Sequence, residues 1–412
     1  MSSEVLQRPR WTNCFNPLNM RFFKFIWIIL ILSSCASSRL AKQTSANKGK
    51  SGLDTVIVKI DSLLIKKDTA QIQIGQILLD TIVIVKKDTL TIIGVGDIMM
   101  GTNYPNADRL PPDNGKYLLA AVKDILKDAD VTMGNLEGVL LDEGGTPKGC
   151  RNPDVCYVFR SPTSFAQNLA DAGFDIMSLA NNHAGDFGDE GRKSSMQTLD
   201  SVGIEYAGLL SKPYTVFSLN GMTYGFAAFA PNTGCASIND LETARATISH
   251  LDSIADIVIV SFHGGAEGSK YEHVPRKHEL FVGEDRGNVY QFAHALIDAG
   301  ADVIFGHGPH VTRAIEVYKE RFIAYSLGNF CTYGGFNLNG VNGLAPIVKV
   351  YTDPKGIFYK AKIIPIYQTP MSPVKIDNLG RVIERMRELT LGDFPETPIT
   401  IGKDGWVKYS TK

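Results

Sequence analysis

The sequence predicts an α/β protein built on buried, largely parallel strands. Three observations lead there. From residue 90 onward, short apolar runs alternate with stretches of helical periodicity. Most of the runs are apolar throughout, as in strands covered on both faces. Several helical stretches close on glycine, as at Asp171-Ala-Gly173 and Asp298-Ala-Gly300, where a left-handed residue ends a helix before the next strand.

In chain order the expected strands are residues 90–95, 129–133, 174–179, 223–229, 256–262, 302–305 and 321–326. The expected helices are 116–128, 164–172, 189–202, 241–254 and 288–299. After Gly343 the alternation stops. Residues 346–351 and 356–365, joined by Asp353-Pro-Lys-Gly356, read as a β-hairpin. Residues 378–389 read as one more amphipathic helix, and the tail carries no clear signal.

The segment before residue 90 has a different character. Met20-Arg-Phe-Phe-Lys24 is basic, residues 25–32 are apolar, and Leu32-Ser-Ser-Cys35 is a small-residue site. The apolar stretch is too short to span a bilayer. A cysteine at that place resembles the lipobox of bacterial lipoproteins, which implies a signal peptide over residues 1–35 and Cys35 as the lipidated first residue of the mature chain. An uncleaved anchor is the alternative. Residues 1–19 precede a basic region of ordinary length, so translation is expected to begin at Met20. Residues 36–50 form a polar tether. Two β-rich runs, 55–65 and 72–85, each end near Lys-Lys-Asp-Thr, too few copies for a solenoid and readable as a strand or hairpin.

Lys and Arg total 42 against 43 for Asp and Glu, a balance that offers no electrostatic case for nucleic acid. Export permits disulfides. Of the six cysteines, Cys14 and Cys35 fall in the leader, leaving Cys150, Cys156, Cys235 and Cys331. Cys150 and Cys156 flank the turn-rich Arg-Asn-Pro-Asp-Val, which allows either a short disulfide loop or two free thiols.

Polar residues collect where strands end: Gly96-Asp97, Asn135-Leu-Glu137, Asn181-Asn-His183, His263-Gly-Gly-Ala-Glu267, Gly306-His-Gly-Pro-His310 and Ser326-Leu-Gly-Asn-Phe330. Ligands of open α/β sheets lie beyond the carboxyl ends of strands, so position and chemistry agree. Any one cluster alone could be a turn or a cap. In the densest, Asn182 offers a neutral oxygen, His183 a group that titrates near neutrality, and Asp186 a carboxylate able to orient the imidazole or hold a metal. Mixed oxygen and imidazole donors suit Zn, Mn or Fe, and the absence of paired cysteines there argues against a thiolate zinc site.

Read together with Phe159-Arg-Ser-Pro162, Ala172-Gly-Phe-Asp175 and Leu179-Ala-Asn-Asn-His183, these blocks resemble the ordered motifs of the CapA-type, poly-gamma-glutamate capsule-biosynthesis family over roughly residues 91–333. That family is similar to calcineurin-like metallophosphoesterases. The resemblance implies a four-layer αββα sandwich over 91–345, a C-terminal β-hairpin extension with helix and tail over 346–412, and a divalent-metal cofactor. It implies Asp97, Glu137, Asn182, His263, His307 and His310 as metal ligands and His183 with Asp186 as the catalytic pair. Asn135, Glu267 and Asn329 are the expected substrate contacts. Met99 stands where the phosphoesterase pattern has a histidine, and the final histidine pair is spaced by two residues instead of one. The implied role is synthesis or export of an anionic envelope polymer, with a phosphorylated or polymer substrate, capsule-synthesis membrane components as partners and a lipid anchor on the outer membrane or periplasmic face. A non-catalytic polymer-binding assembly protein and an exported metal-dependent phosphatase are the alternatives.

Overall fold

The computed structural model describes residues 87–149 and 156–410, together with four strands between residues 55 and 85. The leader, Cys35 and Cys150 lie outside the described residues. The chain divides into one compact unit ending at Val85 and a second beginning at Lys86. In the first, Asp61–Asp68 pairs antiparallel with Gln71–Leu78, and Thr55–Ile57 with Val83–Val85. The β-rich run is thus a hairpin with a second strand pair outside it.

The second unit is built on sixteen strands and five helices used below. In order they are β1 (Leu90–Met99), β2 (Val131–Leu136), α1 (Phe165–Ala172), β3 (Ile176–Ser178), α2 (Gly188–Ser201), β4 (Glu205–Ala207), β5 (Tyr214–Leu219) and β6 (Met222–Phe229). Then come α3 (Leu241–Asp252), β7 (Ile257–His263), α4 (Val289–Asp298), β8 (Val303–His307), β9 (Ile315–Tyr318), β10 (Arg321–Ala324) and β11 (Asn329–Thr332). The chain ends with β12 (Leu344–Thr352), β13 (Phe358–Tyr367), β14 (Lys375–Ile376), α5 (Arg381–Asp393), β15 (Ile399–Ile401) and β16 (Trp406–Tyr409).

One sheet runs β4-β3-β2-β1-β12-β13-β16-β15, with β11 also paired to β1 and β14 to β13. The other runs β5-β6-β7-β8-β10-β9. Each has a parallel set: β4 to β1 forms one end of the first sheet and is followed by antiparallel strands beyond β1, while β6-β7-β8-β10 is the centre of the second, with an antiparallel strand on either side.

Strand alternation shows how the layers stack. Ile257 and Ile259 of β7, with Val303 and Phe305 of β8, join the core that contains Ile92 and Val95 of β1. Their neighbours Val258, Val260, Phe262 and Ile304 pack instead with Ala244, Ile248 and Leu251 of α3 and Phe292 and Leu296 of α4. The second sheet therefore lies between the first sheet and a helical layer. Phe165, Ala166 and Leu169 of α1 and Leu199 of α2 cover the first sheet, which completes an αββα sandwich. Gly94 is what lets the sheets interlock, because a Cβ there would run into the Phe305 ring.

Two expectations need correction. Residues 116–128 bury Leu118, Leu119, Val122 and Leu126 at helical spacing, yet only Lys123–Leu126 is helical. The preceding turns close through shorter bonds, Leu118 N to Gly115 O and Val122 N to Leu119 O, which satisfy the backbone without an α-helix. The C-terminal hairpin is no appendage, since β12 pairs in register with β1 and lies at the middle of the first sheet. The tail, silent in the sequence, supplies β16, which pairs with β13, and the edge strand β15.

Candidate functional site

Asp97 sits inside β1, and its N–H donates to Gly328 O at 2.9 Å. Gly96 makes that approach possible, as a side chain there would strike the Gly328 carbonyl. Asn135 Nδ2 donates to Asp97 Oδ1 at 2.9 Å, and His310 Nδ1 to Asp97 Oδ2 at 2.9 Å. Glu137 follows β2 and is wholly buried. Its Oε1 has no hydrogen-bond partner and lies 3.5 Å from His310 Nε2 and 4.0 Å from His263 Nε2. Asp97, Glu137 and His263 bring ligand atoms within 4.8 Å of one another.

A divalent ion fits this donor set. Buried polar atoms are nearly always paired, yet Glu137 Oε1 and the neighbouring loop's Asn182 Oδ1 have no protein partner. Carboxylate, amide oxygen and imidazole are the donors that borderline ions take.

His183 follows β3. Its Nδ1 meets Asp186 Oδ2 at 2.8 Å, its N–H donates to Asn181 Oδ1 at 3.0 Å, and its ring lies against Phe159 at 4.4 Å between centroids. Asp186 also accepts from Phe159 N–H at 2.6 Å and faces Lys148 Nζ at 2.6 Å. With no exposure and every partner internal, Asp186 orients His183 and does not reach substrate.

Several expected ligands and contacts are otherwise engaged. His307 donates through Nε2 to Val95 O at 3.0 Å and receives Ser261 Oγ at Nδ1, 3.2 Å away. Neither nitrogen is left for an ion. Asn135 is buried, and its Oδ1 accepts from Asn181 Nδ2 at 3.0 Å, so it ties Asp97 to the loop after β3 and makes no surface for substrate. Asn329 is also buried. Its Nδ2 donates to His310 O at 3.1 Å and Asn342 O at 3.0 Å, fixing a His310 backbone whose φ is +55°, while its Oδ1 has no protein partner. Glu267 alone of the three expected contacts is partly exposed, and it pairs with Arg286 Nη2 at 2.9 Å.

The profile of the family described as "Bacterial capsule synthesis protein PGA_cap" matches residues 91–333, more than half of the chain and the part that carries Asp97, Glu137, His183, His263 and His310. The chain belongs to the PGA_cap family. Among relatives, the "PGA biosynthesis protein CapA" of Bacillus subtilis is 31% identical over 74% of this chain and 78% of its own. The "Capsule biosynthesis protein CapA" of Bacillus anthracis is 30% identical over 60% of this chain, which in turn spans 60% of that relative's length. Among solved structures, the Haemophilus influenzae NAD nucleotidase (NadN) is similar with a TM-score of 0.40 and 13% identity, over 70% of this chain and 52% of that one.

The electrostatics of this PGA_cap site follow from burial and charge. Burial raises Glu137 well above the ordinary carboxyl range, and the neighbouring Asp97 charge raises it further. Burial alone would also raise Asp97, but its hydrogen bond and charge interaction with His310 bring it below that range. Burial opposes protonation of His310, while Glu137 and Asp97 outweigh it and push the group up to about 10. His183 is lowered by burial in spite of Asp186, so its resting form is the neutral imidazole.

Sequence reasoning missed Arg286, Lys148, Asn342 and the buried Arg313–Glu279 pair. Arg313 grips Glu279 through two bonds of 2.7 Å, and Glu279 Oε2 accepts from Ala266 N–H at 3.0 Å. That pair braces the loop after β7. These residues lie in polar loops with no hydrophobic period to mark them. Only Arg313, three residues beyond His310, had a motif beside it.

Proposed function

We propose that this protein acts at the cell envelope in the synthesis or export of an anionic polymer, through a divalent-ion centre at the carboxyl ends of its two parallel strand sets. The observation that carries the reading is the buried, unpartnered Glu137 Oε1 beside the Asp97 carboxylate, with a second unpartnered acceptor, Asn182 Oδ1, on the loop after β3. Leaving such atoms unmade costs about 1–3 kcal/mol each, which a bound cation would offset. Asp97, Glu137 and Asn182 would hold the ion with an imidazole from His263 or His310, and Mn, Zn or Fe suits those donors. When bound, such an ion polarises an oxygen of substrate and lowers the pKa of water. His183, fixed at Nδ1 by Asp186, moves the proton through Nε2.

The substrate class that fits is a phosphorylated or polyglutamyl intermediate. Cys35 would carry the lipid that holds the protein on the outer membrane or periplasmic face, near capsule-synthesis membrane components. The printed names of the Bacillus relatives support the polymer, and the basic, apolar and small-residue order of residues 20–35 supports the anchor.

The experiment is turnover of phosphate esters and γ-glutamyl oligomers by the purified protein with Mn, Zn or Fe added. Metal-dependent turnover that is lost in Asp97→Asn is expected. One observation favours a second reading: with both His307 nitrogens engaged, the centre has fewer ligands than a two-ion hydrolase uses, which suits a non-catalytic polymer-binding assembly protein. No turnover with any ion, together with saturable binding of polyglutamate, would replace the first reading by that one. Efficient hydrolysis of simple phosphate esters alone would point to an exported phosphatase.

A further inference from the structure

Arg286 is 2% exposed, and it reaches the centre from the loop between β7 and α4. Its Nη2 lies 2.9 Å from Glu267 Oε1 and 3.3 Å from His263 Nε2, with Glu284 Oε2 3.6 Å from Nη1. The backbone is held as firmly: Arg286 N–H donates to Glu279 O at 2.8 Å, and Arg286 O accepts from Gly265 N–H at 2.9 Å. The guanidinium is thus placed by the same braced loop that places His263.

The chemistry of this contact is restrictive. A guanidinium only donates and keeps its charge in a protein, so His263 Nε2 must be the acceptor. A neutral imidazole has one ring nitrogen with an available lone pair and one bearing hydrogen. Acceptance at Nε2 therefore puts the proton on Nδ1, where it meets no protein acceptor, and in this tautomer neither nitrogen offers a free lone pair to a cation. His307 is closed to an ion by its own two hydrogen bonds. Met99 offers a thioether, a soft donor ill-suited to a site of carboxylates. What remains together is Asp97, Glu137 and His310.

We propose that Arg286 is the second positive charge of the centre: a single divalent ion binds at Asp97 and Glu137 with His310, and the guanidinium holds His263 away from metal. The inference rests on the reading above that the centre takes an ion, and adds how many and by which imidazole. Glu267 is then the counter-charge that positions Arg286. The cationic pair facing an anionic substrate consists of one ion and one guanidinium.

The test is metal stoichiometry and affinity, by elemental analysis and calorimetry with Mn²⁺ and Zn²⁺ on the purified full chain, with circular dichroism to verify folding. The wild type should take one equivalent. His263→Asn should keep that equivalent with little change in affinity, although losing even an outer-shell partner of a ligand commonly costs about 10- to 100-fold. Asp97→Asn and Glu137→Gln should lose it. Arg286→Gln should open a second equivalent, which Arg286→Gln with His263→Asn should abolish. Two equivalents in the wild type, or loss of the bound equivalent in His263→Asn as complete as in Asp97→Asn, would overturn the proposal while leaving the metal reading intact. If the wild type takes up neither ion, both fall. Should Arg286→Gln not fold, the wild-type and His263→Asn measurements still decide.

Discussion

His183 and Asp186 show how burial divides labour between neighbours. The carboxylate has no exposure and three internal partners, His183, Phe159 N–H and Lys148; the imidazole keeps Nε2 for chemistry. His183→Asn should therefore leave metal content intact and slow turnover by about 10² to 10⁴, the usual range for a lost proton-transfer group. Equal loss of metal would make His183 a ligand. Asp186→Ala should destabilise the fold by about 1–3 kcal/mol for each buried donor it leaves unpaired, Phe159 N–H and the His183 ring N–H, a loss that urea unfolding would register. His310 adds a pH dependence. An unfolded histidine titrates near 6.5, whereas in the ion-free protein this one is held up to about 10 by Glu137 and Asp97 against the effect of burial. A raised histidine stabilises fully below the unfolded value and ceases to as pH rises through the folded one. Glu137, also raised, acts in the same direction. With chelator present, the urea midpoint should fall between about pH 6.5 and 10, and His310→Gln should flatten the decline. An unchanged wild-type midpoint would contradict the charge pattern. The residues of this cluster were legible as polar groups at strand ends. Which nitrogen each histidine has free was not, because Val95 O and Ser261 Oγ reach His307 only through the facing of two sheets.

At the level of elements, legibility tracked length and burial. β6, β7 and the helices α1 to α4 lie within a few residues of their expected spans, since each buries a full apolar run or stripe. The strands β4, β9 and β15 are three or four residues long at sheet edges, too short for periodicity to separate them from loops. The hairpin β12-β13 was visible in the sequence as a pair, but its seat beside β1 was not, because strand order depends on partners distant in sequence. Gly94 gives a direct check on how the sheets meet. A methyl group there would press into the Phe305 ring, and such overpacking usually costs about 1–3 kcal/mol. Gly94→Ala should lower the unfolding midpoint accordingly, and Phe305→Leu in the same chain should recover part of the loss. If the two substitutions simply add, the rings and strands do not interlock as described.

For the whole molecule the open question is where the centre works. No helix among the described residues is long and apolar enough to cross a membrane, and the formal charge of the chain is −1. Cys156 is disulfide-bonded while Cys235 and Cys331 are buried free thiols, and a disulfide is the ordinary product of an exporting, oxidising compartment. Export and attachment would then both come from residues 20–35, where a basic start, an apolar stretch and Leu32-Ser-Ser-Cys35 follow in order. One acyl chain binds a membrane only marginally, and stable anchoring takes at least a second. A lipoprotein-type Cys35 with several chains would hold the protein permanently, with the polar tether giving the folded units reach above the surface. Mass spectrometry of protein from the native membrane should therefore find an N-terminal peptide beginning at acylated Cys35. Cys35→Ala should move the protein to the soluble fraction while its metal content and unfolding midpoint stay unchanged, because residue 35 lies outside the unit that begins at Lys86 and carries the centre. An unmodified terminus at Met20 in membrane-bound protein would show that the apolar segment itself is the anchor and would remove the lipid from the account.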